Sequence, residues 1–377
     1  MRIPLPDADG TLVPYPMGEP RTCPPPPGPS TSRVAYAAAH VVPDPSGASL
    51  DWDATLAFRR HLWSYGLGVA EAMDTAQRGM GLDWTATREL IERSSREALS
   101  SGGRIVCGAG TDQLPPGPAA LDAITAAYEE QLAVIEAADA VPVLMASRHL
   151  AAAAPGPDAY ATVYGRLLSQ VKRPVVLHWL GPMFDPALEG YWGSPDLDAA
   201  TDALLALIGE HAAKIDGVKI SLLDAGREIA FRRRLPPGVR LYTGDDFNYP
   251  ELIRGDDAGY SDALLGVFDP IAPVAAAALR ALDDGDTASY EELFAPTVPL
   301  ARHLFEAPTY YYKTGVVFLA WLTGHQRSFR MVGGLENARS VPHMVRLFQL
   351  ADAAGLFPDP GLAAHRMSAW LTVQGAA

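Results

Sequence analysis

Lysine is scarce in this chain. Of 30 lysines and arginines in 377 residues, only Lys172, Lys214, Lys219 and Lys313 are lysine. Wherever a plain positive charge suffices the sequence uses arginine, so a retained lysine hints at chemistry that a guanidinium cannot perform. Cysteine is scarcer still. Cys23 and Cys107 lie far apart with no metal-ligand spacing, so they cannot carry a zinc site alone, and they fit a reduced, cytoplasmic protein. The start of the chain lacks a charged segment followed by an apolar one, so no signal peptide is expected. No apolar run is long enough to span a bilayer. The net charge of −14 and the lack of a basic cluster with interleaved aromatics argue against nucleic acid and anionic membrane as partners; Arg232-Arg233-Arg234 is too short.

What is present is alternation. Apolar, β-branched runs occupy 34–42, 68–73, 104–108, 141–146, 174–180, 217–221, 239–244 and 263–268. Helix-like stretches follow at 52–65, 85–99, 119–138, 160–171, 198–213, 224–234 and 248–254, and another begins at Ile271. Eight such β/α units over about 250 residues predict a parallel (β/α)8 barrel. A doubly wound open sheet is the competitor, but the first strand ends Ala39-His-Val-Val-Pro-Asp44 without the glycine-rich phosphate turn. The expected organisation is a Pro-rich arm at 1–32, the barrel at 33–285, and helices at 286–377 packed on it. The arm, with Cys23-Pro-Pro-Pro-Pro-Gly28, reads as irregular, lying across the barrel or a neighbouring subunit, or as a disordered leader. The C-terminal helices are expected at 289–304, 308–322, 341–354 and 363–373.

Barrel active sites lie at the C-terminal strand ends. Those positions offer His40; Glu71 and Asp74 to Gln77; Gly108 to Asp112; Ser147, Arg148 and His149; His178 and Trp179; Lys219 and Ser221; and Gly244, Asp245 and Asp246. Asp112 and Asp224 read equally well as helix caps. Lys219 closes the sixth strand, where burial can supply a neutral, nucleophilic amine, and His178 lies one strand away. An ordinary snorkelling lysine or a buried ion pair is the bland alternative for Lys219, and a satisfied strand-end histidine that for His178.

Several of these landmarks occur in a known order. Asp216-Gly-Val-Lys219, Thr243-Gly-Asp-Asp246, Gly108-Ala-Gly110, the segment Tyr260 to Pro273 and the loop Asp74-Thr-Ala-Gln-Arg78 together resemble the dihydrodipicolinate synthase/N-acetylneuraminate lyase group of class I aldolases, over about residues 33–350. The resemblance implies that Lys219 forms a Schiff base. It also implies that backbone N–H groups of Thr75, Ala76 and Gln77 hold a substrate carboxylate, and that the protein is a homodimer or homotetramer. The departures are as informative. His178-Trp-Leu-Gly-Pro182 replaces the family's strand-5 Tyr setting, the relay Tyr after strand 4 falls near Arg148, and the carboxylate loop has lost its glycines. Both named activities are therefore rejected, and the chain reads as a divergent branch.

The function expected is a carbon–carbon or carbon–oxygen lyase acting on a small carbonyl compound, a hydroxylated 2-oxo acid or keto-sugar derivative. Lys219 forms the imine and His178 moves protons. Asp74, Thr75, Ala76, Gln77, Arg148, Ser221, Gly244 and Asp246 contact substrate, and no cofactor or metal is required. Two alternatives stand beside it. One is a metal-dependent isomerase, epimerase or lyase using a divalent ion on Glu71, His178, Asp245 and His40. The other is an inactive barrel that only binds a ligand.

Overall fold

A computed structural model describes residues 1–47 and 49–376. The chain opens with an antiparallel hairpin, β1 (Arg2–Pro6) and β2 (Leu12–Pro16). This corrects the expectation of an irregular arm. The ladder bonds run through odd-numbered residues: Met17 donates to the Met1 carbonyl and Asp7 to that of Thr11. The prolines at 4, 6, 14 and 16 are all even-numbered, and Pro4 faces Pro14. Each therefore occupies a non-hydrogen-bonded position, where a missing N–H breaks no ladder bond.

Eight parallel strands form a closed barrel: β3 (Ala35–Ala38), β4 (Gly68–Glu71), β5 (Ile105–Ala109), β6 (Val141–Leu144), β7 (Val175–Leu180), β8 (Ile215–Ser221), β9 (Arg240–Thr243) and β10 (Asp262–Leu265). Each pairs with its sequence neighbours, and β10 closes on β3. After β3 comes α1 (Trp52–Ser64) and after β4 α2 (Trp84–Ser101); α3 (Leu121–Ala137) follows β5, and α4 (Arg148–Ala153) and α5 (Pro157–Gln170) follow β6. The later strands are followed by α6 (Leu197–His211), α7 (Ala225–Arg232), α8 (Tyr249–Arg254) and α9 (Ala272–Asp283). The fold is the expected (β/α)8 barrel, continued by α10 (Thr287–Phe294), α11 (Thr297–Leu304), α12 (Tyr312–Leu322), α13 (Val341–Ala353) and α14 (Pro360–Val373). The single helix expected at 289–304 is two, because Pro296 has no N–H to continue the ladder.

The chain divides into two compact units. The first holds Met1–Ser32, His40–Gly66 and the chain from Val267 onward. Within it the arm is ordered: Tyr15 Oη and the Gly18 amide donate to the Asp352 carboxylate at 2.9 Å each, and Ser30, Thr31 and Ser32 donate to Asp283. The second holds Arg33–Ala39 and Leu67–Gly266, with all eight strands. Its interior follows the period of two along each strand. Ala38, Ala70, Val106, Val143, Val176, Tyr242 and Leu264 meet in one cluster with Met73 and Met145. On β7, stepping two residues from Val176 brings His178 to the same inner face.

Outside the strands, Glu228 of α7 is fully buried and accepts hydrogen bonds from Thr243 Oγ (3.0 Å) and Ser261 Oγ (2.8 Å). Burial, with the Asp245 charge adding to it, raises its carboxyl from the ordinary 4.5 to about 8. Between those values the folded chain keeps a proton that the unfolded chain has released. Stability is therefore greatest below 4.5 and falls as pH rises through about 8, by at most about 1.4 kcal/mol per pH unit. Glu228→Gln should flatten this fall in urea-unfolding midpoints measured across the window; a profile parallel to wild type would refute the assignment.

Candidate active site

His178 and Lys219 are register partners on the adjacent strands β7 and β8, so their side chains leave the same face. His178 is fully buried and Lys219 is 8% exposed. The Lys219 amine makes no hydrogen bond or ion pair among the described residues. Burial lowers its pKa below the ordinary lysine value, and the nearby charges of Asp74 and Asp246 oppose this without cancelling it. Desolvation and the Lys219 charge hold His178 well below its ordinary pKa. His178 Nε2 lies 3.3 Å from Ser221 Oγ, and its Nδ1 is buried without a hydrogen-bond partner among the described residues.

Gly244 makes room for this group. Its amide donates to the Ile220 carbonyl at 2.8 Å. A Cβ at this position would come within 2.1 Å of Ser221 Oγ and 2.8 Å of Lys219 Cε. Asp246 is buried beyond it. Asp245 is engaged in the turn before α8, accepting from the Phe247 and Asn248 amides at 2.8 and 3.0 Å.

The loop after β4 is folded on itself. Asp74 to Ala76 form a single 3-10 turn. The Ala76 amide donates to the Met73 carbonyl (3.0 Å) and the Gln77 amide to that of Asp74 (2.9 Å). Two of the three amides expected to hold a substrate carboxylate are thus engaged within the turn. Gln77 sits in the left-handed region at φ 65°, and its side-chain nitrogen donates to the Met80 carbonyl at 3.2 Å. Thr75 and Ala76 are buried, while Asp74 is half-buried.

Arg78 organises this loop, and the strand-end reading missed it. It is buried, donates to both carboxylate oxygens of Asp112, to Gln131 Oε1 (2.8 Å) and to the Gly108 carbonyl (2.7 Å). Burial raises the Asp112 carboxyl, but the Arg78 charge and hydrogen bonds outweigh it and leave Asp112 below the ordinary value. Asp112 is therefore an ion-pair partner, whereas Asp224 does cap its helix, accepting from the Arg227 amide. An arginine closing the loop Asp74-Thr-Ala-Gln-Arg78, with Asp112 34 residues on, was the signal available in the sequence.

Asp74, Arg78 and Leu180 also line a cavity of about 520 Å³, together with Thr111, Ser147, Arg148, His149 and Asp185. Lys219 is not among its lining residues. Arg148 is half-exposed at the rim and bonded through Nε to Asp185. His149 Nε2 faces the Pro115 carbonyl at 3.1 Å and so carries the proton; its Nδ1 accepts from Thr111 Oγ at 2.9 Å. Thr111 Oγ lies 2.7 Å from Ser147 Oγ, giving a chain of hydroxyls along the wall.

Among the described residues, no group of three converging donor side chains includes Glu71, His178, Asp245 or His40, the residues of the metal-dependent alternative. Asp245 accepts from the Phe247 and Asn248 amides, and Glu71 from the Ala72 amide. His40 belongs to the first unit, where its Nδ1 lies 2.8 Å from Asp269 Oδ2. Among the described residues, the one group of three such side chains with converging donor atoms is His303, Glu306 and His343.

Comparison with solved structures finds this fold in dihydrodipicolinate synthase from Aquifex aeolicus, at 15% identity and a TM-score of 0.68, covering 86% of this chain and 99% of that one. It is found also in YagE, a prophage protein belonging to the dihydrodipicolinic acid synthase family from E. coli K12, in complex with pyruvate (14%, TM-score 0.67, covering 87% and 100%). A third example is the 4-hydroxy-tetrahydrodipicolinate synthase of Methylacidiphilum fumariolicum SolV (14%, TM-score 0.68, covering 85% and 95%). At these identities the likeness establishes the fold, in agreement with the resemblance read from the motifs. No curated protein matches the chain. A family profile described as "Protein of unknown function (DUF993)" matches residues 3–376, and the chain belongs to that family.

Proposed function

We propose that this protein is a Schiff-base-forming lyase of the class I aldolase type. The observation that carries the reading is a buried lysine with a lowered pKa at the end of the sixth barrel strand, paired with a buried histidine. The neutral Lys219 amine attacks a substrate ketone carbon and forms a carbinolamine. Loss of water gives an iminium ion, which accepts the electron pair released when the adjacent C–C bond breaks or when an α-proton is removed; in the second case the enamine so formed returns the pair as a protonated β-hydroxyl leaves as water.

His178 supplies the base. With its pKa held well below the ordinary value it rests as the neutral imidazole, which can take a proton at one ring nitrogen and pass one from the other. Ser221 Oγ, 3.3 Å from Nε2, extends the proton path. Asp74 and Asp246 bind hydroxyls and stabilise the cationic iminium. Arg148, at the cavity rim, takes a carboxylate. This assignment relieves the Thr75–Gln77 turn, whose amides are mostly engaged, of that task. Substrates in this reading are hydroxylated 2-oxo acids or keto-sugar derivatives; the related-fold protein YagE is described in complex with the 2-oxo acid pyruvate. The two free cysteines fit a cytoplasmic setting, and no helix among the described residues is long and apolar enough to cross a membrane. Homo-oligomeric assembly is carried over from the resemblance alone.

Borohydride reduction in the presence of a panel of 2-oxo acids and keto-sugars tests the covalent step. Peptide mass spectrometry should place the adduct on Lys219, and Lys219→Arg should abolish both adduct and turnover, because a guanidinium keeps the charge and forms no imine. An active arginine variant would remove the covalent mechanism, and an adduct without turnover on any substrate would point to the ligand-binding barrel. His178→Phe should leave trapping measurable and lower turnover by about 10²-fold or more; wild-type turnover would return His178 to a structural role. Gly244→Ala places a methyl against Ser221 Oγ, the Ile220 carbonyl and Lys219 Cε. It should destabilise the fold by about 1–3 kcal/mol and slow trapping, so unchanged stability and trapping rate would contradict the packing described.

A further inference from the structure

The first unit carries a second group of nitrogen and oxygen donors, independent of the lysine chemistry. His303 lies in the last turn of α11, and Glu306 follows two residues after that helix ends. His343 is in the first turn of α13, its amide received by the Ser340 cap. The helices α11 and α13 thus bring an i, i+3 His/Glu pair against a histidine 37 residues on.

The hydrogen bonds fix the donor orientations. His303 Nε2 lies 2.9 Å from the His343 backbone carbonyl, which only accepts, so Nε2 carries the hydrogen. In the neutral ring Nδ1 then holds a lone pair, and it faces Glu306 Oε2 at 3.3 Å. Two acceptors face one another there, an arrangement that calls for a proton or a metal ion between them. His343 Nδ1 lies 2.7 Å from the other carboxylate oxygen, Oε1. Its Nε2 is buried and has no partner among the described residues. The three donor atoms all lie within 4.8 Å of one another. An imidazole whose outer N–H is held by a backbone carbonyl is the usual supporting arrangement of a metal-ligating histidine.

We propose that His303, Glu306 and His343 bind a zinc ion that clamps the end of α11 to the start of α13. Two imidazoles and one carboxylate suit zinc and its transition-metal neighbours rather than magnesium or calcium, which take oxygen ligands. The two rings are stacked, with centroids 4.1 Å apart and 23° between planes, so closing on one ion rotates them toward the carboxylate. Glu306 is 47% exposed, which leaves the fourth coordination position to water. Arg339 lies close by, donating to the backbone carbonyls of Glu306 and Pro308. Its charge opposes a cation but occupies none of the three donor atoms.

The test uses the full chain, stripped with a chelator and titrated with zinc by calorimetry and equilibrium dialysis. One equivalent should bind, and zinc but not equimolar magnesium should raise the melting temperature. Glu306→Gln keeps shape and an oxygen for His343, and so should fold. It should weaken zinc binding more than about 100-fold, beyond the 10–100-fold lost with a supporting hydrogen bond. His343→Ala should lose the equivalent, while His61→Ala, in another part of the unit, should keep it. A chain that binds no zinc equivalent, or a Glu306→Gln variant that binds as wild type does, would overturn the site.

Discussion

The arrangement depends on removing one ammonium group from water. Opposite charges attract across the low dielectric of a protein interior, so the charges of Asp74 and Asp246 favour the ammonium form of Lys219. Desolvation nevertheless prevails, and the net shift is downward. The barrel wall provides this: Lys219 is flanked by β7 and β9, its register partners are His178 and Tyr242, and the space above it exists because residue 244 has no side chain. The same desolvation sets the state of His178. The Lys219 charge acts in the same direction, because two cations side by side in a low-dielectric wall repel.

Arg78 shows how a loop can be organised around one buried charge. A guanidinium buried beneath the turn needs more partners than a carboxylate does, and it finds them in Asp112, Gln131 and the carbonyls of Ala72 and Gly108. With the turn closed on its own carbonyls, its amides are largely occupied. On the proposed reading, recognition of the substrate's acidic group moves outward to Arg148. The cavity, the hydroxyl chain of Ser147 and Thr111, and the Arg148–Asp185 pair all lie on that side.

The barrel was legible because its signal is local. Apolar runs separated by amphipathic segments report directly on which faces are buried, and all eight strands fall where those runs do. The N-terminal hairpin was misread because proline was counted and its spacing was not. Prolines at 4, 6, 14 and 16 share one parity, and that parity decides which N–H groups a ladder needs. Asp112 was read as a possible cap because its partner, Arg78, lies on another loop. The state of His178 could not be read from sequence at all, since it comes from burial by residues spread over several strands. Gln77 belongs to the same class: the left-handed backbone at φ 65° that turns its amide onto Met80 is a property of the folded loop.

The scarcity of lysine was an argument about four residues, and the structure separates them. Lys172 is exposed and paired with Glu136, and Lys214 donates to the Val171 carbonyl. Lys313 is as buried as Lys219, yet its amine donates to the Tyr310 carbonyl and lies 4.6 Å from the centre of the Tyr312 ring. Burial alone therefore does not mark a nucleophile. A carbonyl and an aromatic face both favour the charged form of a buried amine. Lys219 has neither among the described residues, only carboxylates acting at a distance and a neutral histidine beside it. An amine held out of water without hydrogen bonds is destabilised in its charged form, which favours the neutral form that can attack a carbonyl carbon; on the proposed reading, the charges of Asp74 and Asp246 then act on the cationic iminium that follows.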